Sequence, residues 1–128
     1  NELIKKSINF YDKISPYIFP VLIVDGIFDR VWRSMGIVSF SRNFKKNTKL
    51  FRELIKFYAN LVQINIEGLI NATGGKGKII NILDDVAYKD RSMISPKRWE
   101  TDFMPYYKEI NSLISDANMI SQIHTDGD

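Results

Sequence analysis

Residues 119–128 read MISQIHTDGD, and the interpretation of the whole chain depends on this segment. A short apolar run, residues 119–123, is followed at once by His124, Asp126 and Asp128. An apolar run that gives way to several ionisable residues is typical of a buried strand that delivers side chains to the rim of an active site. The segment therefore predicts a strand of a catalytic barrel, and the chain is interpreted as the middle of that barrel, cut on both sides.

Two further strand candidates precede this one. Residues 17–24 form a continuous apolar run that ends at Asp25-Gly26, and residues 79–83 end at Asp84-Asp85. The first run is continuous rather than alternating, which predicts a strand that is covered on both faces, as in parallel sheets.

Apolar residues at helical spacing separate the strand candidates and predict helices over residues 2–14, 27–35, 48–73 and 96–117. Gly36 and Gly74 should end the second and third helices, and Pro105 should kink or split the fourth. The predicted order is α-β-α-α-β-α-β. Alternating helices and strands indicate an α/β fold with about three parallel strands and flanking helices.

Composition excludes several classes of site. The 128 residues include no cysteine, which rules out a disulfide framework and thiolate metal ligands within them. The net charge of +3 is scattered, so no nucleic-acid partner is predicted. The longest apolar run is far shorter than the ~20 residues that cross a bilayer. We therefore expect a cytoplasmic protein without membrane association.

All three strand candidates end in ionisable residues: Asp25, the pair Asp84-Asp85, and His124 with Asp126. The carboxyl ends of parallel strands share one edge of a sheet, where such folds bind ligands. An aspartate after a strand also commonly caps a helix or turn, and this alternative stays open for Asp25. Neighbouring strand residues face opposite ways, so only one of Asp84 and Asp85 should reach the cavity.

The spacing His124-x-Asp126 places an imidazole and a carboxylate on nearly the same side of a strand. Such a pair could bind zinc or work as an oriented base, although zinc needs at least one more ligand from elsewhere. The spacing by itself leaves both roles open for His124 and Asp126.

Several short motifs occur in an order that resembles the uroporphyrinogen decarboxylase superfamily, which includes the corrinoid-dependent methyltransferases. They are residues 24–32 (VDGIFDRVW), 82–87 (ILDDVA), 93–96 (MISP), 103–110 (FMPYYKEI) and 124–127 (HTDG). The resemblance covers most of the chain from about Pro20. It implies a (β/α)8 barrel with its site at the carboxyl ends of the strands, of which residues 1–128 would be an incomplete single domain.

Methyltransferases of this family bind zinc through a His-x-Cys motif and a later cysteine. His124 matches that histidine, whereas Asp126 stands in place of the cysteine, which indicates a metal site richer in oxygen. The resemblance implies zinc with His124 and Asp126 as metal ligands, and a corrinoid carried by a partner protein. It also implies catalytic roles for His124 and for Asp84, which would face the cavity, and cofactor-binding roles for Asp25 and Gly26.

Two alternatives remain. A decarboxylase of the same family would use carboxylates to hold the pyrrole nitrogens of a tetrapyrrole, without metal or cofactor. A truncated, non-catalytic piece of a barrel would expose sheet edges and one apolar face, and it should form homodimers or aggregate.

Overall fold

The protein is described here by a computed structural model that covers residues 2–126. Asn1, Gly127 and Asp128 lie outside these residues, so the last part of the predicted terminal motif does too. The described chain is a mixed α/β fold built on a three-stranded parallel sheet, as predicted. Its strands are β1 (Val21–Asp25), β2 (Ile79–Leu83) and β5 (Ile120–His124), in the order β1-β2-β5.

The helices and a small hairpin fill the connections. The helices are α1 (Glu2–Ile14), α2 (Ile27–Met35), α3 (Ile37–Lys46), α4 (Thr48–Thr73), α5 (Pro96–Arg98) and α6 (Met104–Asp116), and a π-helical segment (Trp99–Phe103) lies between α5 and α6. The hairpin consists of β3 (Ala87–Tyr88) and β4 (Arg91–Ser92). None of the helices in the described part is both long and apolar enough to cross a membrane.

Local signals place the ends of the long helix α4 where the sequence predicted them. The Asn47 side chain accepts a hydrogen bond from the amide of Leu50 at 3.3 Å and so caps the first turn. Gly74 ends the helix in the left-handed conformation at φ 60°, which costs glycine little. Pro105 lies in the first turn of α6 directly after the π-helical segment, so the predicted split of the last helix is confirmed.

The helices pack on one face of the sheet. Val24, Ile80 and Ile82 point into a single core with residues of α2, α4 and α6. This arrangement follows from the strand order, because two right-handed crossovers that advance in the same direction leave their helices on the same side.

The opposite side of the sheet, called here the open face, is not covered by the described residues. The side chains of Val21, Ile23 and Ile120 are 43%, 60% and 62% exposed. Within the described residues the sheet is therefore covered on one face, whereas the apolar run that ends at Val24 predicted a strand covered on both. Strand register divides the open face into a base row (Val21, Ile79, Ile120), a middle row (Ile23, Asn81, Gln122) and a top row (Asp25, Leu83, His124).

Candidate functional site

The top row lies at the carboxyl ends of the strands. Asp25 and His124 both lie on the open face, and about half of each side chain is exposed. Nε2 of His124 lies 3.3 Å from Oδ1 of Asp126, so the two groups meet as strand alternation predicts. Asp25 lies two strands away across β2, roughly 10 Å along the sheet, and it pairs loosely with Arg30 at 3.6 Å.

The loops that follow β2 and β5 are joined by two reciprocal hydrogen bonds. The amide of Asp126 donates to Oδ1 of Asp85 at 3.1 Å, and the amide of Val86 donates to Oγ1 of Thr125 at 3.1 Å. Each loop thus supplies one side chain and one amide. These bonds orient the segment that carries His124 and Asp126, so Asp85 acts as a positioning residue for the pair.

The structure corrects the prediction that Asp84 faces the cavity. Asp84 is completely buried and continues the alternation of Ile80 and Ile82, which point into the helix layer. Asp85, the next residue, does not follow this alternation into the helix layer and instead lines the cleft at the top of the sheet. Strand alternation separates the two aspartates but cannot say which face the helices cover, and for this reason the sequence pointed to the wrong one.

Asp84 caps helix α2, although it lies more than fifty residues from α2 in the sequence. Helix α2 begins after Gly26, which has no side chain to cap it. The amides of Phe28 and Asp29 instead donate to the two carboxylate oxygens of Asp84, at 3.3 and 2.8 Å. Tyr107 of α6 donates its hydroxyl to Asp84 and accepts the amide of Ile27 at 2.9 Å. Three first-turn amides of α2 are thereby satisfied by residues more than fifty positions away.

Gly26 makes this cap possible. Its backbone, at φ −76° and ψ 178°, is accessible to any residue. However, a Cβ built on Gly26 would overlap the Asp84 side chain and lie 2.6 Å from its Oδ1. Gly26 therefore serves the close approach of Asp84 to α2, whereas the sequence assigned it to cofactor binding.

Burial raises the pKa of Asp84 from 3.8 to about 6, because the hydrogen bonds from Tyr107, Asp29 and Phe28 only partly offset the loss of solvent. Burial and the adjacent carboxylate of Asp84 also raise the pKa of Tyr107. At neutral pH, Asp84 is therefore ionised and accepts a hydrogen bond from the protonated hydroxyl of Tyr107.

The stability of the fold should depend on pH through Asp84. Between about pH 4 and pH 6 the folded chain keeps a proton at Asp84 that the unfolded chain releases. The stabilisation of the folded state by this proton is therefore present at low pH and is lost as the pH rises through about 6. Relative to Asp84→Asn, the wild type should lose about 2 kcal/mol of unfolding free energy between about pH 4.5 and pH 7. Urea unfolding of both proteins at the two pH values measures this difference, and a constant difference would contradict it.

A cleft of about 1060 Å³ opens beside the paired loops. Asp85 and Asp126 lie on one side of it, and its apolar wall includes Trp32 and Met93. The β3–β4 hairpin, which the sequence did not predict, adds Tyr88, Lys89 and Arg91. Each strand of the hairpin is only two residues long, too short for an alternating pattern to reveal it.

Helix α2, which Asp84 caps, also forms part of one wall of this cleft. Asp29 is buried in the first turn of α2 and accepts a hydrogen bond from Nε1 of Trp32 at 2.8 Å. The same carboxylate pairs with Arg33 at 2.7 Å. The indole that lines the cleft is thus oriented by the helix that Asp84 caps.

The donor chemistry at His124 and Asp126 suits zinc, because imidazole nitrogen and carboxylate oxygen are both zinc ligands. The number of donors is too small for a complete site: within residues 2–126, no group of three or more His, Cys, Asp or Glu side chains is placed to hold a metal ion. Two donors are fewer than the three or four protein ligands that zinc takes in proteins.

No protein-family model, curated protein or solved structure matches this chain.

Proposed function

We propose that the chain forms part of the wall of a (β/α)8 barrel enzyme related to the uroporphyrinogen decarboxylase superfamily, in its branch of corrinoid-dependent methyltransferases. In this proposal His124 and Asp126 bind the catalytic metal, zinc, and the enzyme works in the cytoplasm with a corrinoid-carrying partner protein. The observation that carries the proposal is the contact of His124 with Asp126 at the carboxyl edge of a parallel sheet.

The sheet has the features expected of a barrel wall. Its strands follow one another in sequence order, its helices lie on one side, and its other side presents rows of side chains at successive levels. In a (β/α)8 barrel the helices form the outer ring, and such rows fill the interior in layers. The open face would then point into the barrel, and the top row would lie at its catalytic mouth.

The chain's residues have distinct tasks in this proposal. His124 and Asp126 donate to the metal, and Asp85 fixes the backbone of Asp126. Asp25 presents an exposed carboxylate to a cofactor or substrate at the same edge, whereas Asp84 and Gly26 hold α2 in place. When bound, zinc would supply a Lewis acid that lowers the pKa of a coordinated thiol.

The metal-binding part is tested by replacing His124 with alanine in the whole barrel enzyme and measuring its zinc content after purification. We expect the variant to lose bound zinc, because only one donor of the pair remains. The matched control is Gln122→Ala, which alters a side chain on the same face of the same strand, one row below. Gln122→Ala should keep its zinc, and equal zinc in wild type and His124→Ala would refute the assignment.

A decarboxylase of the same superfamily is the second candidate. The carboxylates of Asp85 and Asp126 line a cleft that is large enough for a large planar ligand, and the exposed carboxylate of Asp25 lies at the same end of the sheet outside that cleft. Carboxylates so placed could accept hydrogen bonds from pyrrole N–H groups. Tight tetrapyrrole binding in the presence of a metal chelator would favour this candidate over the methyltransferase.

A further inference from the structure

The cleft beside the paired loops is lined by two cations, Lys89 and Arg91, that the proposed function leaves unused. We propose that this cleft binds a flat aromatic anion, whose ring lies against Trp32 and Met93 and whose charged group pairs with Lys89 and Arg91. The identification of this anion as the substrate rests on the proposed function, whereas its binding to the cleft does not.

The acidic residues of the cleft are already engaged within the chain. Oδ1 of Asp85 accepts the amide of Asp126 at 3.1 Å, and Oδ1 of Asp126 lies 3.3 Å from Nε2 of His124. The two cations differ, because neither Lys89 nor Arg91 takes part in an ion pair within residues 2–126. Positive charge that has no counterion within a cleft attracts an anionic ligand.

The β3–β4 hairpin brings its charged side chains together. Tyr88 and Arg91 lie directly opposite each other in the antiparallel pair, so their side chains leave the hairpin on the same face. Nζ of Lys89 lies 5.4 Å from the centroid of the Tyr88 ring, in a cation–π contact. Tyr88 thus neighbours both cations. An ammonium and a guanidinium in this arrangement suit a carboxylate or a phosphate group.

The backbone of Lys89 has a conformation that lysine rarely adopts. Its φ is 53°, in the left-handed region that glycine and asparagine enter at lower cost. The turn of the hairpin has only two residues, Lys89 and Asp90. Unfavourable backbone conformations of this kind collect at binding and catalytic sites. A lysine in this position therefore supports a binding task for its side chain.

The apolar wall of the cleft is flat and fixed. Nε1 of Trp32 donates to Asp29 at 2.8 Å, and the guanidinium of Arg33 lies 5.4 Å from the centroid of the Trp32 ring. Phe40 and Met93 continue the apolar lining. The indole is therefore oriented before a ligand arrives. A fixed flat wall favours an aromatic ring, because stacking then costs little ordering.

The proposal is tested with naphthoate and its uncharged analogue naphthylmethanol, by equilibrium dialysis against the whole protein. A chelator is present, so that no metal can bind the carboxylate. Two fused rings occupy only part of the cleft volume of about 1060 Å³. We expect naphthoate to bind about tenfold more tightly than naphthylmethanol, the effect of one charge-assisted hydrogen bond. Naphthyl phosphate in the same assay identifies which anionic group is preferred.

Two double variants isolate the role of the hairpin cations. Lys89→Gln with Arg91→Gln should abolish the preference for naphthoate and leave the binding of naphthylmethanol unchanged, which also shows that the cleft still forms. The matched control is Arg42→Gln with Lys45→Gln, which removes the same charge from exposed residues of α3 outside the cleft. This control should keep the preference. Trp32→Leu should weaken both ligands by a similar factor, because both lose the same ring contact.

Several outcomes would overturn the anion site: no binding of either ligand, equal affinity for both, or a preference that persists without Lys89 and Arg91. An equal loss of preference in the two double variants would do the same, because it would assign the effect to net charge. Equal affinities together with zinc that depends on His124 would leave the proposed function standing alone. A preference for naphthoate in a protein that is purified without zinc would support the anion site and refute the metal assignment.

Discussion

Replacing Asp84 with alanine is expected to lower the free energy of unfolding by about 3 kcal/mol at neutral pH. The substitution leaves the amides of Phe28 and Asp29 and the hydroxyl of Tyr107 without an acceptor in a fully buried position. Each buried donor without a partner costs about 1–3 kcal/mol. The variant also no longer buries a charged carboxylate, and this favourable effect offsets part of the cost. Urea unfolding followed by circular dichroism measures the change.

The neighbouring substitution Asp85→Ala is the matched control. Asp85 is only half-buried, and its side chain accepts the single amide of Asp126 at a partly exposed position. Its loss should cost less than about 1 kcal/mol. If the two alanine variants were equally stable, the assignment of Asp84 as the cap of α2 would be wrong.

Replacing Gly26 with alanine should also cost about 3 kcal/mol, near the upper end for overpacking in a tight core. The added methyl group would occupy the space of the Asp84 side chain, so either α2 or the carboxylate must move. The cost is steric, since the backbone of Gly26 is in a region open to alanine. Thermal or urea unfolding of the variant measures the loss.

Two comparisons isolate that cause. Gly68→Ala on α4 adds a methyl group into open space and should stabilise the helix by about 0.5–1 kcal/mol. In an Asp84→Ala background the obstacle is gone, so Gly26→Ala should then cost far less than it does alone. Additive losses in the double variant would show that Gly26 is needed for some other reason.

Much of the fold could be predicted because its signals are local. The cap at Asn47, the left-handed Gly74 and the first-turn Pro105 each act on the residues beside them. Strands β2 and β5 begin and end close to the predicted positions, because apolar runs are bounded by charged or turn residues. Strand β1 ends near the predicted position but begins at Val21, directly after Pro20 and four residues later than the apolar run predicted. Helix α3 and the β3–β4 hairpin were absent from the predicted order. Both lie between elements whose apolar patterns are stronger, and each strand of the hairpin is too short to show periodicity.

The candidate site was predicted less completely. His124 and Asp126 meet as their spacing predicts, because strand alternation is enough to bring them together. To choose correctly between Asp84 and Asp85, one must know which face of the sheet the helices cover, and strand alternation does not give this. The hairpin residues Lys89 and Arg91 line the cleft together with residues of α2 and α3, and no local pattern predicts that these segments come together.

By itself the sequence determined the alternation of helices and strands and the gathering of ionisable residues at the ends of parallel strands, since both follow from short-range periodicity and capping. Only the tertiary structure decided that Asp84 is a buried cap, that Gly26 serves its approach, and which face of the sheet the described helices cover. Those features depend on contacts between residues more than fifty positions apart, such as Asp84 with Phe28 and Asp29. Such contacts are selected by the packing of whole elements and are not encoded by the neighbours of any one residue.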